Sequence, residues 1–211
     1  MPVSNEWLIF LGTATVFAFT PGPAMMYVLA RSVHDGRRVG IESALGNAIG
    51  TLAHVLAAAV GLSTLLATSP VAFAALTYAG AAYLVVLGVQ ALRTCRGVEQ
   101  ALTGGTASAP SGFAGSPLVQ GIMVETLNPK TALYFMALLP HFVHPDRAAP
   151  AAVLSMLGLV VVVVALTADV IVALAASRFR VRLATNVRWQ VGQRAGSGLV
   201  LIGLGTFVAV A

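Results

Sequence analysis

The chain has 211 residues, of which 58% are hydrophobic and only 9% charged. Soluble domains carry about 25% charged residues, so this composition excludes an ordinary soluble fold. The net charge of +5 sits in short arginine-bearing segments, a pattern that sets membrane topology and calls for no nucleic-acid partner.

The first predicted helix covers about residues 7–30. Glu6 precedes its apolar run, and Arg31, Arg37 and Arg38 follow it. A signal peptide has its positive charge ahead of the run, so this segment reads as a retained span. Residues 43–92 contain no Asp, Glu, Lys or Arg. A bilayer core takes roughly 20 residues at about 1.5 Å each, so this stretch is too long for one helix. It divides at "TSP" (68–70) into helices over about 41–67 and 71–92, because proline and small polar residues mark turns. The small, polar stretch "TGGTASAPSGFAGSP" (103–117) reads as a flexible linker.

A fourth helix is expected over 117–142, a fifth over 149–177 and a sixth over 190–211. The fifth holds the β-branched run "VLSMLGLVVVVVALTA", which in lipid is a helix, since a lone strand there leaves its backbone unpaired. The expected fold is therefore an all-α membrane protein of six transmembrane helices. Loops 31–38, 93–116 and 178–188 hold most of the arginines, whereas "ATSP" and "HPDR" carry no net charge. The positive loops belong in the cytoplasm, which puts both termini outside. Trp7 and Trp189 fall at opposite interfaces, where indole rings sit well.

Three spans per half make the second half enter the membrane from the opposite side. The halves, 1–102 and 117–211 joined by a cytoplasmic linker at 103–116, show a weak internal likeness. "TP" (20–21) and "NP" (128–129) share one offset with Gly50 and Gly158, and "YLVVLGVQAL" (83–92) aligns with "GLVLIGLGTF" (198–207) after a shift. Inverted repeats with interrupted helices are a recurring transporter architecture whose sites lie near midplane.

Two prolyl breaks stand at matching depths. In "FTPGPAM" (19–25), Pro21 frees the carbonyl of Phe17 and Pro23 that of Phe19; in "ETLNPK" (125–130), Pro129 frees the carbonyl of Glu125. Thr20 and Asn128 lie about ten and eleven residues from the inner ends of their helices, close to midplane. A packing kink is the plain alternative for either break alone; two facing breaks argue for a cavity.

Charges in this apolar setting are costly, at least ~2.5–3.5 kcal/mol each at a helix centre, so they should face a cavity or a partner. Asp169 is the lone acid of the fifth helix and suits a proton carrier. Lys130 is too deep to reach water by snorkelling and suits a substrate carboxylate; a brace to Asp169 or Glu125 is the structural alternative. Glu125 is a second proton site, a cation-recognising group or a wet vestibule residue. Asn128 either binds substrate or caps the broken backbone. Asn47 reads as an interhelical hydrogen bond, with lining of the site as the alternative. Glu42 should pair with a loop arginine, and His54 reads as a core histidine. "GNAIG" (46–50) and "GQRAG" (192–196) allow close helix approach, within the bundle or in a homodimer, and Arg194 should snorkel to the inner interface.

"TPGPAMMYVLARSVHDGRRVGIESALGNAIG" and "GIMVETLNPKTALYFMALLPHFV" resemble the two signature regions of the LysE/RhtB family, the lysine and homoserine/threonine exporters. The resemblance runs over about residues 7–92 and 117–207. It implies a six-helix bacterial inner-membrane exporter of amino acids or derivatives driven by the proton motive force. On this likeness Thr20, Pro21, Gly22 and Pro23 match the first motif, Asn128, Pro129 and Lys130 the second, and Gly46 and Gly50 the glycine-rich second helix. Glu125 departs from the neutral residue, such as Asn, that the resemblance leads one to expect, and this bears on substrate charge.

The expected mechanism places a substrate carboxylate on Lys130 or on freed N–H groups, and its ammonium on freed carbonyls or Asp169. One half then rocks against the other, and a proton entering from outside on Asp169 releases the substrate. A neutral amino acid suits this site better than lysine, because Lys130 repels a second cation unless Glu125 offsets it. The alternatives are weaker. A metal or cation exporter needs clustered ligands. An intramembrane enzyme needs motifs such as G-x-S-x-G or H-E-x-x-H, and neither occurs. With Cys95 alone there is no internal disulfide, cysteine-rich metal site or thiol-redox pair. No cofactor is expected.

Overall fold

In a computed structural model, residues 4–95, 115–144, 148–178 and 187–210 are described. The linker up to residue 114, Arg96, Glu99, Asp146, Arg147, Arg180 and Arg182 lie outside the described residues, as do the side chains of Trp189 and Arg194. All regular structure among the described residues is helical.

The helices fall on the expected segments, with two of the six divided. The first becomes α1 (Ser4–Phe19) and α2 (Pro23–His34), whose axes differ by 48°. Pro21 and Pro23, two positions apart at the joint, lack the N–H groups that would have continued the ladder. Gly36, at φ 92, turns the chain into α3 (Arg37–Ala57) in a conformation that glycine adopts readily. The second segment therefore starts earlier than expected, and it runs on through a π-helical turn (Ala58–Leu62) into α4 (Ser63–Thr68). The third is α5 (Pro70–Cys95). The fourth is split into α6 (Pro117–Thr126), α7 (Pro129–Leu133), a π-helical turn (Tyr134–Leu138) and a 3-10 turn (Leu139–Phe142). The fifth and sixth are α8 (Pro150–Arg178) and α9 (Val187–Val210).

Three helical stretches are long and apolar enough to cross a membrane, Arg37–Leu65, Val71–Gln90 and Pro150–Ala176, and the bent α1–α2 pair makes a fourth if it is one span. Large apolar side chains such as Leu8, Leu56, Val60, Val71, Val163 and Leu199 are exposed. In water such a surface would be an aggregation liability; against acyl chains it is the natural outer face.

The packing crosses between the two halves of the sequence. Helix α5 lies along α9, α3 lies along both α6 and α8, and α2 meets α8 and α6. Glycines set the closest of these seams. A methyl on Gly46 would overlap the carbonyl oxygen of Leu118, and one on Gly121 would lie 2.6 Å from the Ser43 carbonyl. At Gly50 it would lie 2.7 Å from Glu125 Cβ. The "GNAIG" stripe thus packs within the chain, holding α3 backbone against α6 backbone. The main core centres on Phe10, Phe17, Tyr134, Phe135 and Phe142. At one rim, His144 Nε2 lies 2.8 Å from Glu6 Oε2, tying the start of α1 to the end of the fourth segment.

Candidate functional site

Each break is held open by polar groups that replace the missing amide protons. At the first, Gly22 caps α2 in extended backbone and Pro23 opens that helix, a position proline fills without losing a hydrogen bond. The Thr20 hydroxyl turns back and donates to the Val16 carbonyl at 2.6 Å. It does not face the cavity expected for it; the carbonyl of Thr20 instead receives the Lys130 ammonium.

At the second break Asn128 is the N-cap of α7. Its Oδ1 accepts the backbone N–H of Lys130 at 3.1 Å, while its Nδ2 donates to Glu125 Oε2 at 2.9 Å. The carbonyl of Glu125, released by Pro129, receives the Asn128 N–H at 2.9 Å and lies 3.0 Å from His54 Nε2. His54 thus belongs to the break: with Nε2 protonated it donates to the freed carbonyl, and its ring stacks on Phe135. The expectation of a core histidine missed this contact.

Lys130 joins the two breaks. Its stem passes over Gly22, where a methyl would lie 2.8 Å from Lys130 Cδ. Nζ donates to the Phe17 carbonyl at 2.8 Å and to the Thr20 carbonyl at 2.5 Å, and it stands 4.3 Å from the centre of the Phe17 ring. Phe17 O is the acceptor that Pro21 had been expected to release. No ion pair within 4.0 Å joins Lys130 to Asp169 or Glu125 among the described residues, so the brace alternative is not what the geometry shows.

The two carboxylates are held by neutral donors. Asn47 Nδ2 donates to Asp169 Oδ2 at 2.7 Å, across 122 positions of sequence. Thr51 Oγ1 lies 3.1 Å from Glu125 Oε1 and 3.0 Å from the Asn47 carbonyl, so its one proton serves one or is shared. Asn47, Thr51, Glu125, Asn128, Lys130 and Asp169 are all buried, in a setting where unpaired polar groups are costly.

One cavity of about 30 Å³ gathers these groups. Gly22, Asn47, Glu125, Asn128, Lys130 and Asp169, all predicted from sequence, line it together with Phe17, Met25, Thr51, Thr131 and Leu166. Thr20, Pro21, Pro23 and Pro129 are not in its wall; the prolines shape the backbone that forms it. About 10–15 Å³ admits one water, so this space holds a water or two and no amino acid. The conformation is closed around its polar centre. Outside the site, Glu42 accepts from Arg38 Nε at 3.2 Å, as expected of a helix-start acid beside an arginine loop.

The family model for the LysE type translocator matches residues 15–211. An uncharacterized membrane protein of Pseudomonas aeruginosa is 31% identical over 216 residues, covering 99% of this chain and 96% of that one. An uncharacterized membrane protein of Vibrio cholerae is 32% identical over 143 residues, covering 68% and 67%. The homoserine/homoserine lactone efflux protein of Salmonella typhimurium is 32% identical over 141 residues, covering 67% and 66%. No solved structure matches.

Proposed function

The chain belongs to the LysE type translocator family, a family of multi-pass membrane proteins, and from that membership we propose that it exports a small amino acid or derivative in exchange for protons. The observation that carries this reading is a cavity at which two prolyl breaks, more than a hundred residues apart in sequence, bring together an ammonium, two carboxylates and two amides. The rest of the wall combines Phe17, Met25, Leu166 and small residues with the hydroxyl-bearing Thr51 and Thr131. Such a site offers partners to both ends of a zwitterion and little to a fully apolar solute. The relative named for homoserine and homoserine lactone efflux supports a neutral, homoserine- or threonine-like substrate.

The charge balance supports proton coupling. Asp169 and Glu125 against Lys130 leave one negative charge uncompensated when all three are ionised. A zwitterion adds none, whereas one proton neutralises the site. Asp169 is the better carrier, because a neutral donor, Asn47, holds one of its oxygens, whereas both oxygens of Glu125 have polar side-chain partners, Thr51 and Asn128.

The same reading takes the chain as six spans in two inverted three-helix repeats, 1–102 and 117–211, in the bacterial inner membrane with both termini outside. The cross-paired packing, α3 with α6 and α2 with α8, is the arrangement two inverted copies would make. The "GNAIG" stripe is used inside the chain, so a homodimer would need another surface; Gly196, open on its outer side, is a place for one.

Cells expressing the protein and loaded with a panel of dipeptides should release at least one free amino acid faster than control cells. Release of none rejects the reading. In everted vesicles, Asp169→Asn should abolish export driven by a pH gradient while leaving the protein in the membrane at normal amounts. Unchanged gradient-driven export would remove Asp169 from the proton path.

A further inference from the structure

Lys130 is the sole lysine of the chain, and its ammonium is spent in an unusual way. Two carboxylates line the same cavity, yet Nζ donates to two main-chain carbonyls, Phe17 O at 2.8 Å and Thr20 O at 2.5 Å. Its remaining face looks onto the Phe17 ring at 4.3 Å, a cation–π distance. All three residues are buried.

Carbonyl oxygens and a ring face bind any primary ammonium that fits; nothing in them requires that it be tethered. Phe17 O has room for an ammonium because Pro21 cannot donate to it and the Thr20 N–H, shared with Val16 O, reaches it at 3.2 Å; Thr20 O lies at the joint where the helix is interrupted. Proteins that handle amines in apolar surroundings use this combination of oxygen acceptors and aromatic face.

We propose that the Phe17 and Thr20 carbonyls with the Phe17 ring form a primary-ammonium site, that Lys130 is its tethered occupant in this closed conformation, and that the α-ammonium of the exported amino acid takes its place. The displaced Lys130 then meets the carboxylate of the same substrate or one of the two cavity acids. A zwitterion alone supplies both an ammonium to fill the cage and an anion to receive the lysine. Simple amines lack the second and hydroxy acids the first. The identity of the incoming amine rests on the exporter reading above; the cage itself does not.

The cage can be tested without knowing the substrate. Lys130→Ala removes Cγ to Nζ, the atoms of n-propylammonium. Added at millimolar concentration to the purified full chain, n-propylammonium should raise the Tm of Lys130→Ala by roughly 2–4 °C. 1-Propanol and tetramethylammonium should not, nor should n-propylammonium act on the wild type or on Lys130→Met, whose stem blocks the cage. If Lys130→Ala is recovered folded only when the amine is present during purification, that recovery is the rescue. A variant that responds to none of these compounds, or equally to propanol, overturns the cage.

The exchange is read in the wild type. With lysine carrying ¹³C at Cε, the protein gives one lysine signal, shifted by the Phe17 ring. Among the proteinogenic amino acids and homoserine, at least one should move that signal away from its ring-shifted position, and the corresponding α-hydroxy acid should not. A signal that no amino acid moves overturns the exchange. A cage that binds propylammonium in a protein that exports no amino acid would leave the cage standing and reject the exporter reading, so the two failures are distinct.

Discussion

Asn47 carries more of the site than its modest place in the sequence suggests. Its Nδ2 is the hydrogen-bond donor to Asp169 and its carbonyl lies beside the Thr51 hydroxyl that also reaches Glu125. Replacing it with leucine leaves a buried acid without its donor, a loss of about 1–3 kcal/mol. Asn47→Leu should therefore lower the Tm and cut export at least tenfold, whereas Asn47→Gln should be milder in both; equal loss in the two would assign Asn47 to packing alone. His54→Phe keeps the stack on Phe135 but removes a donor from the Glu125 carbonyl, which retains the Asn128 N–H. It should cost only about 0.5–1.5 kcal/mol, measured as a small drop in Tm. At this scale the sequence revealed which groups are buried and polar, because Asp169, Lys130 and Asn47 stand out among apolar neighbours. It did not reveal their partners. Lys130 reaches Phe17 across 113 positions and His54 reaches Glu125 across 71, and no local rule encodes such pairings.

The elements divide into those fixed by local chemistry and those fixed by contact. The breaks at Pro21, Pro23 and Pro129 were legible, since a missing N–H acts wherever the residue stands. The π-helical turns at Ala58–Leu62 and Tyr134–Leu138 were not, because nothing in their residue types separates them from ordinary helix. Pro21→Ala restores a donor to the chain at the joint, and the variant should straighten the 48° bend and compete with Lys130 for Phe17 O; export should fall while the protein remains folded. The glycine seam makes a sharper comparison. Gly46→Ala and Gly121→Ala force backbone apart and should each destabilise by about 1–3 kcal/mol. Gly12 and Gly203 have nothing within 4 Å of an added methyl. Alanine at those positions should be neutral or stabilise by roughly 0.5–1 kcal/mol, by easing the helix-propensity cost of glycine. Thermal melts of the purified variants check both pairs.

For the whole molecule, composition already decided the class: a chain with so few charges has a surface suited to lipid, and the exposed leucines and valines on its outer faces agree. Orientation follows from where the arginines lie, so reporter fusions give a direct test. Alkaline phosphatase joined after Ala211 should be active, and joined within 103–116 inactive, with the reverse for a fluorescent protein; active phosphatase at the linker would invert the topology. The order of the helices was readable in advance, but not that α3 fastens to α6 and α5 to α9. That interleaving bears on how the chain holds together. The pieces on either side of the linker grip one another through interhelical surface and not through the covalent thread between them. Severed there and co-expressed as two polypeptides, 1–102 and 117–211 should find each other in the bilayer and restore export, while either alone should be cleared by membrane proteases.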